Sequence, residues 1–199
     1  MNRRAFLLSA AVAGRAVAAN DKVNLAVIGI RGRGRNLASQ FAGLADANLV
    51  ALCDVDPRVY DRAAREVEEK CGRRPPLVAD LRRVLDDKSV DAVVIATPDH
   101  WHASATILAC DAGKDVYVEK PASHNLREGR LMVEAARRHH RIVQVGTQSR
   151  SRRSTRRAIE FVQSGKIGRV LAAKAWNTQL RENIGHKHDS PDTAGVAAS

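Results

Sequence analysis

Residues 23–35 read VNLAVIGIRGRGR: an apolar run from Val23 to Ile28 that gives way to Gly29-Ile30-Arg31-Gly32-Arg33-Gly34. An apolar run closed by glycines and followed by a helical pattern is the strand, turn and helix context in which a glycine-rich turn holds a dinucleotide. The helix is predicted to open at about Arg35. A pyrophosphate would then sit at its N-terminus, where backbone N–H groups and the helix dipole favour an anion. Gly29 and Gly34 fit the outer positions of a G-x-G-x-x-G pattern, but Arg31 stands where the middle glycine belongs. Gly32 supplies a close approach one residue later, and Arg31 or Arg33 is placed to cover a phosphate. Glycine-rich turns also occur with no ligand, so this motif by itself does not decide the matter.

Working outward, the runs Leu49 to Cys53, Ala92 to Ala96, Val116 to Val118 and Ile142 to Val145 barely alternate in polarity. Such runs read as parallel strands buried on both faces. Between them lie amphipathic stripes: Leu37, Phe41 and Leu44; Tyr60, Ala63 and Val67; Ala103, Ile107 and Cys110; Leu126, Gly129, Val133 and Ala136. An arginine-rich stretch from Arg152 carries Ala158, Ile159 and Val162 on a further predicted helix. Strands alternating with helices predict an α/β chain with a doubly wound parallel sheet of Rossmann type over residues 20–168. A strand is expected from Val170 to Trp176, and the text then loses its pattern. Residues 169–199 therefore read as a disordered tail or as the start of a second domain.

Three other positions crown the carboxyl ends of these strands. Asp54 ends the second strand about 20 residues after the last glycine, where a carboxylate accepts the ribose 2′-OH and repels a 2′-phosphate. That favours NAD, with NADP left open by nearby Arg58. Asp56 is expected to cap the turn that Pro57 opens. Thr97-Pro98-Asp99-His100-Trp101-His102 follows the next strand. His100-x-His102 has no third ligand at metal spacing, so no metal site is expected. Glu119-Lys120-Pro121 places an ammonium on the same rim, suited to polarising a hydroxyl or carbonyl oxygen during hydride transfer.

Composition narrows the class. A 199-residue chain with 44% hydrophobic and 4% aromatic content builds a core from Val, Ile, Leu and Ala. The formal charge of +11 is spread along the chain. The run Arg150, Arg152, Arg153, Arg156 and Arg157 lacks aromatic residues for base stacking, so no nucleic-acid partner is expected. Cys53, Cys71 and Cys110 match neither a disulfide nor a zinc framework and read as core residues. Arg3-Arg4 before an apolar stretch ending near Ala16-Val17-Ala18 resembles a twin-arginine export signal over residues 1–19. It predicts a periplasmic or otherwise exported protein, the alternative being a cytoplasmic one. The stretch is too short for a membrane anchor.

The segments DAVVIATPDHWHA (residues 91–103), GKDVYVEKP (113–121) and VQVGTQSRS (143–151) closely resemble the Gfo/Idh/MocA oxidoreductases. The resemblance runs from about Lys22 to Trp176. It implies that Lys120 is the substrate-facing lysine, next to a cis Pro121. It further implies that Thr97, Pro98 and His102 line the nicotinamide side, that Glu119 approaches the cofactor, and that Gln148 lies near the cofactor or substrate rim. Members of that family carry a second, mostly antiparallel sheet domain, which is missing or only begun here.

These readings converge on the NAD(P)-binding part of an exported oxidoreductase of sugar-like substrates, able to bind nucleotide but not to turn over by itself. Alternatives are an NAD-dependent glycosidase of the same family and a nonenzymatic nucleotide-binding remnant. The expected partners are a nicotinamide dinucleotide and, given a second domain, a sugar-like molecule. In the remnant reading, a strand from Val170 exposes an unpaired edge and an apolar face, which predicts self-association into a homo-oligomer unless a partner covers it.

Overall fold

The computed structural model describes residues 22–176. The predicted leader at 1–19 and residues 177–199 lie outside the described residues. Two units divide the chain, one closing at Gly146 and the other beginning at Thr147.

The first unit alternates strands and helices in this order: β1 (Val23–Ile28), α1 (Gly32–Ala42), β2 (Ala47–Cys53), α2 (Tyr60–Cys71), β3 (Leu77–Val78), α3 (Leu81–Asp86), β4 (Ala92–Ile95), α4 (His102–Asp111), β5 (Asp115–Glu119), α5 (Leu126–Arg138) and β6 (Val143–Gly146). All pairings are parallel, and the strand order is β3-β2-β1-β4-β5-β6. The order reverses at β1 and β4, the topological switch point where such sheets bind ligands.

The predicted lack of alternation has a direct physical cause. Leu25 and Val27 of β1 pack on one side against Leu37 and Ala38 of α1 and Ala63, Ala64 and Val67 of α2. Ala26 and Ile28 face the other side, in one apolar core with Val84 and Leu85 of α3, Ala105 and Ala109 of α4, and Met132 and Ala135 of α5. Both faces of the sheet are covered, so both sets of side chains must be apolar.

Several sequence expectations change. The stripe on α5 is shifted: Met132 and Ala135 are buried, while Leu126 is 95% exposed and Val133 is also exposed. Met132→Ala is therefore expected to cost about 2–5 kcal/mol and Leu126→Ala within about 0.5 kcal/mol, a contrast that denaturant melts of both variants measure. Leu44 lies beyond α1 and is exposed, because the helix ends at Gly43. Cys53 and Cys110 are core residues, but Cys71 is exposed at the end of α2. The two-residue β3 was not predicted; its backbone continues the ladder of β2 through Leu52 N–H to Pro76 O and Asp54 N–H to Val78 O.

The second unit, over its described residues, holds a 3₁₀ turn at Gln148–Ser151 and the helix α6 (Arg153–Gln163). Ile159, Phe161 and Val162 on that helix are exposed. Residues 170–176 are irregular rather than the expected strand, so the edge-pairing argument for a homo-oligomer loses its basis. Among the described residues, no helix is long and apolar enough to cross a membrane.

Candidate cofactor site

The carboxyl end of β1 is shaped by two glycines that no other residue replaces. Gly29 has φ +82°, and a Cβ there would lie 2.7 Å from the Ala96 carbonyl carbon and the Thr97 nitrogen. At Gly34 a Cβ would lie 1.7 Å from Gly29 O. The first turn of α1 thus rests directly on the strand end, while the Gly29 N–H donates to Cys53 O at 2.8 Å. Gly32 has φ +31° and open space around it, so its demand is conformational only.

The helix opens at Gly32, three residues earlier than the predicted Arg35. Arg31 O closes the first turn by accepting the N–H groups of Gly34 at 2.8 Å and Arg35 at 3.3 Å. The Gly32 and Arg33 N–H groups form no hydrogen bond among the described residues. Unpaired donors and a positive dipole end over bare glycine backbone make a seat for a diphosphate.

Asp54 stands beside this turn. Its Oδ2 accepts the Ile30 N–H at 2.9 Å and its Oδ1 the Asp56 N–H at 3.0 Å. Each oxygen retains a lone pair for a ribose hydroxyl. Asp56 is buried and caps the 3₁₀ turn Pro57–Val59 by accepting the Arg58 N–H, as its sequence context suggested. It also takes the Arg58 guanidinium at 2.8 and 2.9 Å and pairs with Arg31. These bonds, those of Arg58 foremost, hold the Asp56 carboxyl well below the usual carboxylate range. Arg31, in the middle-glycine position, therefore lies along the second loop rather than over the strand end.

Between the ends of β1, β2, β3 and β4 lies a cleft of about 670 Å³ lined by Gly29, Asp54, Ala79, Thr97, Pro98 and Trp101 among others. Thr97 Oγ1 is shielded from solvent there without a hydrogen-bond partner. An orphaned hydroxyl at the wall of an open cleft is satisfied when a polar ligand enters. Cys53 also borders the cleft, but burial, reinforced by the Asp54 and Asp80 carboxylates, pushes its thiol up to about 12 and leaves it inert. Ala79 and Asp80 carried no motif of their own in the sequence; they reach the cleft because β3 lies beside β2.

His102, expected on the nicotinamide side, is held by the loops around it. It is 2% exposed, with Nδ1 2.6 Å from Pro121 O and Nε2 2.9 Å from Thr97 O. Both ring nitrogens lie within hydrogen-bond distance of backbone carbonyls, so the imidazole bridges the β4 loop and the β5 loop, and it is not among the residues lining the cleft. Glu119, Lys120 and Pro121 end β5, and the Lys120–Pro121 peptide is cis. Lys120 is exposed, and its Nζ has no hydrogen-bond or ion-pair partner among the described residues. Glu119 is buried and its Oε1 accepts the Arg33 Nε–H at 2.7 Å, an ion pair spanning 86 positions of sequence. Gln148 opens the 3₁₀ turn of the second unit, half-buried, with Oε1 shielded and unpartnered. No group of three or more His, Cys, Asp or Glu among the described residues is placed to hold a metal ion.

The glycine seat, the Asp54 acceptors and the Thr97 hydroxyl occupy one edge of one sheet, and together they fit a nicotinamide dinucleotide. Comparison with known proteins agrees. The family model of the Gfo/Idh/MocA oxidoreductases, described as an NAD-binding Rossmann fold, matches residues 23–147. Glycosyl hydrolase family 109 protein 1 of Shewanella sp. strain ANA-3 is 29% identical over 178 residues, covering 85% of this chain and 39% of that protein. An alpha-N-acetylgalactosaminidase of Shewanella oneidensis is 28% identical with the same coverage. The crystal structure of scyllo-inositol dehydrogenase from Lactobacillus casei with bound NAD(H) and scyllo-inositol is similar, with 26% identity and a TM-score of 0.66. That match covers 74% of this chain and 42% of that one. The chain therefore spans about two fifths of the length of these relatives. By its sequence from Val23 to Thr147 and by the strand-end site those residues build, the chain belongs to the Gfo/Idh/MocA oxidoreductase family as an NAD-binding Rossmann domain.

Proposed function

We propose that this chain binds NAD along the carboxyl edge of its sheet as part of an oxidoreductase that exchanges hydride with a sugar or polyol carbon. The observation that carries this reading is the alignment of the glycine seat, Asp54 and the Glu119-Lys120-Pro121 turn on a single rim. When bound, the nicotinamide accepts or returns the hydride. The chain's own part is to hold the diphosphate on the α1 N-terminus and to take ribose hydroxyls on Asp54. The unpartnered ammonium of Lys120 serves a substrate oxygen, stabilising negative charge as its proton leaves.

The relatives support a sugar-like substrate, since one solved neighbour holds scyllo-inositol and one sequence relative is named a galactosaminidase. The glycosyl hydrolase and alpha-N-acetylgalactosaminidase names support a second reading, a glycosidase in which the sugar is transiently oxidised, the cofactor reduced, and both restored within each turnover. A sugar panel followed by nicotinamide absorbance separates the two: bond cleavage without accumulating reduced cofactor indicates the glycosidase, and net reduction the dehydrogenase. The chain by itself is proposed to bind without turning over, because Lys120 is exposed among the described residues, and an exposed lysine lacks the preorganisation that chemistry needs. Arg3 and Arg4 support export by the twin-arginine route, which localisation of a tagged full-length chain tests.

Cofactor choice gives the sharpest check of binding. Asp54 faces a 2′-phosphate with like charge, and the guanidinium of Arg58 is held by Asp56 rather than offered to a ligand. Calorimetry is expected to give saturable NAD binding, with NADP weaker by at least about tenfold. Equal affinity for the two dinucleotides would remove Asp54 from the ribose site.

A further inference from the structure

Arg33 is the second residue of α1, in the turn whose Gly32 and Arg33 N–H groups are unpaired. Its side chain passes beyond β4, which lies between β1 and β5 in the sheet, and ends on Glu119 at 2.7 Å. The two partners differ in freedom. The Glu119 side chain is 5% exposed, and its Oε2 lies 3.2 Å from the Lys120 N–H. Its far side is closed by Gly146, where even a Cβ would come within 2.9 Å of Oε1. The Arg33 side chain is 32% exposed and is a flexible arm. The carboxylate is fixed and the guanidinium can leave.

A diphosphate arriving at the α1 N-terminus would compete for that guanidinium with more charge and with oxygens spaced for two-pronged contact. We propose that the Arg33–Glu119 pair is a latch across the strand-end groove: a bound diphosphate draws Arg33 from Glu119 onto itself and leaves the Glu119 carboxylate free to accept a ligand hydroxyl. The inference rests on the NAD-binding reading above and assigns two residues to one exchange. Glu119 restrains diphosphate binding until a hydroxyl takes the guanidinium's place. A ligand with a diphosphate but no second ribose opens the latch at the cost of a buried, unpaired carboxylate. A dinucleotide does not bear that cost.

The test is calorimetry of the full chain with ADP, adenosine and NAD, each variant first shown to be folded by circular dichroism. Glu119→Gln removes the competing charge and is expected to tighten ADP about three- to tenfold while leaving adenosine unchanged and moving NAD by less than about threefold. Glu119→Asp, which draws the carboxylate back by one methylene, is expected to shift ADP in the same direction and keeps the test usable should the amide not fold. In an Arg33→Met background the gain is expected to vanish, because the effect of Glu119 passes through Arg33. A permanent buttress predicts the opposite sign: loss of Glu119 would loosen the arginine and weaken ADP. ADP affinity that is unchanged or lower in both Glu119 variants overturns the latch, as does a gain that survives without Arg33. Failure of the unsubstituted chain to saturate with NAD would instead refute the binding reading itself, so the two failures are told apart.

Discussion

Gly34→Ala is expected to abolish measurable NAD binding and to lower the melting temperature by roughly 6–12 °C. The added methyl would lie 1.7 Å from Gly29 O, a backbone atom with nowhere to retreat. Gly29 is pinned by its N–H bond to Cys53 O, and the backbone of Ala96 and Thr97 closes its other side. The helix must therefore lift from the strand end, disturbing the packing of Leu37, Ala38 and Ala42 against β1 and β2. Overpacking of this kind costs about 3 kcal/mol or more when backbone is the obstacle, and each kcal/mol corresponds to about 2–4 °C in a domain of this size. The proposed diphosphate seat moves with the helix, so affinity is expected to fall at least about a hundredfold. Gly32→Ala is the control. It meets no atom within 4 Å and carries only the strain of a positive φ, about 1–2 kcal/mol. Thermal melts and calorimetry of the two variants decide the matter, and a Gly34→Ala chain that melts and binds like the parent would refute the assigned contact.

Asp54→Ala carries the next largest effect, for two reasons that act together. The carboxylate receives the N–H groups of Ile30 and Asp56, tying the glycine turn to the end of β2. Its loss leaves those donors without their partner and costs about 1–3 kcal/mol of stability. It also removes the proposed acceptor for the ribose hydroxyls, and with it the negative charge proposed to repel a 2′-phosphate. NAD affinity is expected to fall about 30-fold or more, with NADP affected far less, so the preference between the two narrows. Asp54→Asn keeps one acceptor oxygen and should fall between. A uniform loss for both dinucleotides would mean that Asp54 serves the turn alone.

The sheet was legible because its strands are short, buried on both faces and separated by glycine turns and helical stripes. Val23–Ile28 is recovered to the residue. The legibility fails where the signal is short or ambiguous. Leu77–Val78 is too brief for any period to register, and on α5 a Val133 stripe and a Met132 stripe are nearly equal in apolar content, so only contact with α4 and the sheet selects the latter. The start of α1 came out late because Gly32, Arg33 and Gly34 look like loop residues by propensity, yet Arg31 O closes a helical turn around them. The tie from His102 to Pro121 O was not legible, since the sequence neighbours of His102 do not reveal that this carbonyl lies across the rim.

From residue order alone came the α/β class, the parallel sheet, and the placing of the glycine turn, Asp54 and Glu119-Lys120-Pro121 at strand ends, each a property of contiguous residues and of their period. Tertiary structure alone decided that Arg33 meets Glu119, that Asp56 gathers Arg31 and Arg58, and that Thr97 Oγ1 is left without a partner. The reason is geometric. Local backbone preferences fix where strands and helices start, whereas the meeting of side chains 86 or 25 positions apart depends on which strand lies beside which, and that order is set by packing both faces of the sheet at once.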